Sequence, residues 1–358
     1  MQIFSGSYNE NDVNFLLKII DIKPIENIKE KEELIQKNKK HYSEMISPEY
    51  EPSEKYLKMF YKSFEQNKER FAKDITNLAF NINKKKNPVL ISLARAGTPI
   101  GVLLKRTIKE LYNNDLKHYS ISIIRDRGID ENALKYIHKT HPNQEFVFID
   151  GWTGKGVINR ELKFYIKKFN KKYNTNISDK LYVVSDIAGK ADFTVTNEDY
   201  LIPSSALNST ISGLVSRSIL NEEYIKEEDF HGCIYYKQFE NIDISKWFID
   251  EILKIIKKKY NNRSFPNLLN QNFKLQEKID KFMNEMKKKY KIENLNYIKP
   301  GIGETTRVLL RRLPSAIILK DLNSEETNHL VILAKEKQIK LIEDKKLPYK
   351  ALGIIKGV

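Results

Sequence analysis

Four short runs rich in β-branched residues, VLISLA (89–94), HYSISII (118–124), EFVFID (145–150) and LYVVSD (181–186), are interleaved with stretches whose apolar residues recur at helical spacing. IGVLLKRTIKELY follows the first run, GVINRELKFYIKKF the third and STISGLVSRSIL the fourth. Strands alternating with helices predict an α/β fold with a parallel, doubly wound sheet, and such sheets receive ligands beyond the carboxyl ends of their strands. Ahead of the first run, Leu57, Phe60, Phe64, Phe71, Ile75, Leu78 and Ile82 predict one amphipathic helix over 53–83. Residues 1–50 read as helical, with DVNFLLKII as an apolar face, and Pro48 and Pro52 bracket a break. The lysine-rich stretch 250–291 reads as helical and as a connection between domains. A Pro-Gly-Ile-Gly loop then leads into the helix ETTRVLLRR, the strand SAIILK, the helix EETNHLVILAKEKQ and the strand KLIED, a small α/β unit. The expected division is a helical N-terminal extension (1–52), an α/β body (53–253), a basic helical linker (254–291) and a C-terminal domain (292–358).

Composition narrows the classes. At 358 residues and 41% hydrophobic content the chain has material for two or three domain cores, which excludes wholesale disorder. No stretch reaches the ~18–20 apolar residues of a membrane span, and MQIFSGSYNENDV lacks the layout of a signal peptide. The single cysteine, Cys233, excludes an internal disulfide and a multi-cysteine zinc site, and the expected compartment is the cytoplasm. With 62 Lys and Arg against 47 Asp and Glu the formal charge is +15. That suits a polyanion such as RNA, although a bias to Lys, Asn and Ile of the kind AT-rich coding produces gives the same excess.

Two strand–helix turns carry residues that chemistry uses. In LISLARAGTPIGVLLKR, Thr98 and Pro99 suit a helix start, and the turn Ala94, Arg95, Ala96, Gly97, Thr98 would offer an anion backbone N–H groups, a positive helix end and the Arg95 charge. An ordinary capped turn is the structural alternative. In FVFIDGWTGKGVINREL, the strand ends at Asp150, and Gly151, Thr153, Gly154, Lys155 and Gly156 would suit a phosphate. It is no Walker loop, because Ile149 stands where the first glycine belongs and Gly156 where Ser or Thr belongs.

The strings FSGSY, HYSEM, SLARAGTPIGVLLKR, SIIRDRGID, DGWTGKG and LNSTISGLVSR resemble a phosphoribosyltransferase-like family fused to a C-terminal Pelota-type RNA-binding domain and associated with tellurite-resistance stress loci. The resemblance implies a type I phosphoribosyltransferase-like sheet and a Pelota/L7Ae-like C-terminal domain. It further implies glycosyl transfer (a pentosyltransferase) from phosphoribosyl pyrophosphate (PRPP) to a base-like acceptor. Ala94 to Thr98 would bind pyrophosphate, Gly151 and Thr153 to Gly156 the 5′-phosphate, and Asp150 the ribose hydroxyls. Arg95, Arg125 and Arg127 would stabilise the leaving group, with Mg²⁺ riding on ligand oxygens and water rather than on direct protein ligands. One acidic residue, Asp150, stands where the family signature has two.

Other candidates remain. Asp186, Asn208, Ser209 and Arg217 are placed to hold an acceptor, or to serve as turn and cap chemistry. GIGETTRVLLRR resembles the signature of kink-turn RNA binders, which marks Gly301, Gly303, Glu304, Thr305, Arg307, Arg311 and Arg312 for RNA, in a segment (291–358) with 13 basic and 8 acidic residues. His41 and Glu44 read as a surface pair or as metal or substrate contacts, and His138 and His141 as loop residues. A protein that senses a nucleotide without catalysis is one alternative. The family has also been given a cysteine-protease (StiP) label, for which His231 and Cys233 would be the pair.

Overall fold

The computed structural model describes residues 3–356. Strand β1 (Asn14–Leu16) and the two-residue β2 (Lys18–Ile19) precede the helices α1 (Ile28–Gln36) and α2 (Glu54–Asn83). The body continues with β3 (Pro88–Ala94), α3 (Thr98–Tyr112), β4 (His118–Ile124), β5 (Gly128–Ile129), α4 (Glu131–Thr140), β6 (Glu145–Thr153), α5 (Val157–Tyr173), β7 (Leu181–Asp186), β8 (Phe193–Thr196), β9 (Gly232–Cys233) and α6 (Ser245–Tyr260). After β10 (Leu269–Asn270) come α7 (Phe273–Lys289), β11 (Ile298–Pro300), α8 (Ile302–Arg311), β12 (Pro314–Leu319), α9 (Asn328–Glu336), β13 (Lys340–Glu343) and β14 (Ala351–Ile355).

The main sheet runs β1-β4-β3-β6-β7-β8-β10, parallel from β1 through β8 with β10 antiparallel at the edge. Its central strands are buried on both faces because helices cover both, and β4 carries His118, Ser120 and Ser122 on one face, paired with Ser92, Thr98 and His231. Phe71, Ile75, Leu104, Phe248 and Ile252 from α2, α3 and α6 pack on one side, and Leu134, Ile137, Leu162 and Ile166 from α4 and α5 on the other. Six of the seven residues expected on the inner face of α2 are buried, and Leu57 is half-buried.

Three expectations are corrected. DVNFLLKII is not helical: its residues form β1 against β4 and β2 against β9. Residues 209–220 are not a helix either. A single 3₁₀ turn, Ser209–Ile211, is followed by Gly213 and Leu214 at φ 79° and 60°, and two consecutive left-handed residues cannot continue a right-handed helix. The stretch expected as a basic helical linker does carry a helix, α7, but rather than only connecting domains its Ile279, Met283 and Met286 share a core with Ile298, Ile318, Leu352 and Ile354 of the C-terminal sheet β11-β14-β12-β13.

The C-terminal unit is fastened to the body by a buried carboxylate. Asp199 accepts from the backbone N–H of Ile302 at 3.0 Å, where α8 begins, and from that of Lys350 at 2.8 Å. Asp199→Ala leaves both donors unpaired and is expected to cost about 1–3 kcal/mol. A urea titration checks this, and an unchanged midpoint would remove Asp199 from the interface.

Candidate functional site: an arginine-lined cleft

Beyond the carboxyl ends of β3, β4 and β6 opens a cleft of about 1300 Å³. Its walls come from three parts of the chain: the N-terminal segment 26–56, the turns of the body, and α8 with the approach to β11.

Arg95 stands at the floor. Its Nη1 donates to Glu49 Oε2 at 3.0 Å and to the Val215 carbonyl at 3.0 Å, and its Nη2 donates to Asn208 Oδ1 at 3.2 Å. Glu49 also accepts from the Ser209 backbone N–H at 2.6 Å. Burial pushes the Glu49 carboxyl up, but Arg95 and Arg311 outweigh it and hold it below the usual range. Arg125 lies over the Tyr42 ring and takes the Tyr42 hydroxyl on its backbone N–H at 2.9 Å, while Arg127 pairs with Glu44 at 2.7 Å. The 125–128 segment is the tight turn joining β4 to the antiparallel β5.

The two glycine turns are occupied by the chain itself. At the first, the N–H of Gly97 donates to Leu93 O, that of Thr98 donates to Arg95 O, and the Thr98 hydroxyl is engaged with Ser120. At the second, the Thr153 hydroxyl accepts the Gly156 N–H, and Lys155 donates to the carbonyls of Leu295 and Ile298 at 2.8 and 2.9 Å. A Cβ on Gly154 would come within 3.0 Å of Pro300 O, so β11 already lies against this turn. Ala94, Ala96 and Thr153 line the cleft, whereas Gly97, Thr98, Gly151 and Gly156 do not.

Asp150 faces the cleft, and burial pushes its carboxyl up to about 7 against partial opposition from its bond to the Gly151 N–H. An unfolded aspartate loses its proton near pH 3.9. The folded state therefore holds the proton more tightly, and this group's contribution to stability falls as pH rises from about 4 to about 7. Asp150→Asn is expected to be near neutral at pH 4 and stabilising by about 1–2 kcal/mol at pH 8. Urea midpoints at the two pH values check it, and an equal effect at both would contradict the shift.

The remaining candidates are dispersed. Asp186 does not line the cleft: it closes its own turn, accepting from Ala188 N at 3.0 Å and Ala191 N at 2.6 Å. Arg217 does line it, and donates to the carbonyls of Tyr42, at 2.7 Å, and Met45. Gly301 takes a φ of 88° to enter α8, Gly303 packs against Ser205 and Trp152, and the Thr305 hydroxyl donates to Lys299 O. Arg307 stacks on Trp152 at 4.4 Å. Burial raises the Glu304 carboxyl, but Lys299 and Arg307 overcome it and hold it low. Arg312 is paired with Glu32. Arg307, Arg311 and Arg312 thus line the inner cleft rather than an outer basic face. His41 pairs with Ser43 at 2.8 Å, and Glu44 is taken by Arg127. Among the described residues, no group of three or more His, Cys, Asp and Glu is placed to hold a metal ion.

Cys233 does not line the cleft either. It sits in β9, paired with Ile19 of β2 and fully buried in the core cluster that also holds Leu17 and Val215, and burial pushes its thiol up. His231, two positions earlier, has Nδ1 at 2.8 Å from Ser122 Oγ and donates its backbone N–H to Asp130 at 2.6 Å.

Reasoning from sequence missed Glu32 and Glu49, and named Glu44 beside His41 rather than as the partner of Arg127. The only signal was an acidic scatter ahead of Pro52, and nothing local says that each meets an arginine far along the chain.

The fold and cleft define an α/β body with a second α/β unit closing over the ends of its strands. The chain belongs to the family described as tellurite-like stress resistance cysteine protease StiP, which it matches over residues 6–253, and residues 277–357 match the PELOTA RNA binding domain. It is 39% identical over 367 aligned residues to "Cysteine protease StiP" of Acinetobacter baylyi (strain ATCC 33305 / BD413 / ADP1), covering 99% of this chain and 94% of that protein. Among solved structures, a hypoxanthine-guanine-xanthine phosphoribosyltransferase aligns with 37% of this chain and 79% of that one, at 16% identity and a TM-score of 0.24. A likeness that slight supports no statement about activity.

These findings overturn the expected transferase. The named relative and the matched family are cysteine proteases, so PRPP-dependent glycosyl transfer is withdrawn for this chain. The stress-resistance association and the RNA-binding C-terminal domain stand. Among the described residues no helix is long and apolar enough to cross a membrane.

Proposed function

We propose that this chain is a cysteine-type peptide hydrolase acting in stress resistance, with Cys233 as nucleophile, His231 as its base and a C-terminal domain that binds RNA. The observation that carries the reading is that the chain's single cysteine lies inside the span matched to the protease family, two residues from a histidine. Burial holds the His231 ring below its ordinary value, so it is neutral in this conformation, and it gains the basicity of an ordinary imidazole only when the site opens to water. In the reaction the Sγ–H proton passes to His231 as sulfur bonds to the scissile carbonyl carbon. The amine leaves with that proton, and water then cleaves the thioester.

The described conformation is the shut one. A buried thiol with a raised pKa is a poor nucleophile, so β9 must part from β2 before the sulfur can react. Magnesium and a phosphorylated sugar or nucleotide, which the resemblance attached to the transferase, have no part in this reading. The cytoplasm, where a lone thiol stays reduced, is the proposed compartment. An electrophilic peptide, a peptidyl chloromethyl ketone, tests the assignment by mass spectrometry. The expected adduct is on Cys233 and absent from Cys233→Ala; inactivation of hydrolysis without an adduct on Cys233 would overturn it.

A further inference from the structure

Residues 42–49 lie along the cleft and are held as a bound peptide is held. The carbonyls of Tyr42, Ser43, Glu44 and Met45 accept from Arg217, the Leu220 backbone, Asn221 and Arg217 again. Their acidic side chains are read separately, Glu44 by Arg127 and Glu49 by Arg95 and the Ser209 N–H. The segment opens with the 3₁₀ turn Tyr42–Glu44 and is extended from Met45; main-chain bonds along it with arginines on its carboxylates are the elements of acidic-peptide recognition.

One arginine in the cleft is left over. On Arg106 the fork formed by Nε and Nη2 holds the Asp12 carboxylate, and on Arg312 the same fork holds Glu32. On Arg311 the Nε and Nη2 atoms are buried without a hydrogen-bond partner, and so is Nε of Arg307 one turn away on α8. Arg311 lines the cleft with Arg95 and Arg307. Burial and these two like charges push the Arg311 guanidinium well below its ordinary value, and the nearby carboxylates of Glu49 and Glu304 offset this only in part.

We propose that the cleft is a binding site for acidic peptide segments, in which an incoming carboxylate seats in the Arg311 fork beside Arg95 while residues 42–49 occupy the adjoining stretch as a built-in peptide. A carboxylate is favoured over a phosphate because the filled forks in this chain hold carboxylates, and because the backbone N–H groups of Gly97, Thr98 and Gly156, which would cradle a phosphate, are bonded internally. Binding needs no thiol, so the inference stands or falls separately from the hydrolase.

Fluorescein-labelled hexaglutamate, read by fluorescence anisotropy on the full-length protein, is the test. The native chain is expected to bind it, and to bind labelled hexalysine at least about tenfold more weakly. Arg311→Ala should weaken hexaglutamate binding about tenfold or more, and Arg311→Gln, which keeps bulk and donors but not charge, by a similar factor. Glu49→Gln, which frees Arg95, should tighten it several-fold. No binding by the native chain overturns the proposal. So does native-like binding by either Arg311 variant with an unchanged melting curve. Displacement of hexaglutamate by a ten-residue oligouridylate, but not by unlabelled hexaglutamate, would make the cleft a nucleic-acid site and also overturns it.

Discussion

Iodoacetamide is expected to alkylate Cys233 in the native protein about 10³-fold more slowly than it alkylates free cysteine at pH 8. At least four backbone hydrogen bonds hold β9 in place, among them Lys18 N to His231 O, Ile20 N to Cys233 O, and the reciprocal pair between Ile219 and Gly232. At about 1 kcal/mol each, their loss makes the open state roughly 4 kcal/mol less stable than the shut one, which is about one molecule in a thousand. Exposure of apolar neighbours such as Ile20 and Ile225, which lie against Gly232, adds to this, and loop freedom gained on opening subtracts. The same opening governs catalysis, since the sulfur gains both access and an ordinary pKa only when β9 leaves β2. Labelling at the rate of free cysteine would mean that the thiol is open in solution, and would contradict the shut state.

The largest loss of stability is expected from Arg312→Ala. The Glu32 side chain on α1 is 1% exposed and is held by both Nε and Nη2 of Arg312, so truncating the arginine strands a buried carboxylate. Breaking one side of such a pair costs about 3–5 kcal/mol. Because the pair ties the N-terminal segment to the C-terminal unit, its loss should also expose 26–52 to proteolysis. Adding Glu32→Leu to Arg312→Ala should recover much of the stability, since it removes the stranded charge. Urea denaturation of native, single and double variants measures this. An unchanged midpoint in Arg312→Ala would show that Glu32 finds solvent and that the two ends of the chain are not coupled there.

The central strands were legible because a strand covered on both faces is rich in apolar and β-branched residues, as in VLISLA, EFVFID and LYVVSD on β3, β6 and β7, while HYSISII on β4 alternates with His118, Ser120 and Ser122. The edges were not. DVNFLLKII carries a helical spacing of apolar residues, and only pairing with β4 and β9, over 100 and 200 residues away, makes it extended. Residues 209–220 have helical spacing too, but Gly213 and Leu214 turn the chain back so that Val215 and Ile219 can bridge to Tyr235 and Gly232. Arg95 and Asp150 were singled out because each string reads as a strand running into a helix, where an α/β sheet receives ligands, and Arg217 because it follows a Ser/Asn/Thr cluster; all three line the cleft, although Asp150 lies within β6 and Arg217 is on no helix. What those residues do was not legible. The sequence pattern shows glycines that can cradle an anion, but it does not show Pro300 lying against Gly154 or Glu49 on Arg95. Cys233 was visible as a lone thiol, and its local string HGC says nothing about the core around it.

Peptide hydrolysis by the native chain and by Cys233→Ala, measured side by side on one fluorogenic peptide with both proteins shown to melt cooperatively, bears most directly on the account. Turnover in Cys233→Ala should fall to the uncatalysed background. Equal rates from the two proteins would mean that the only sulfur nucleophile in this chain is not the one at work.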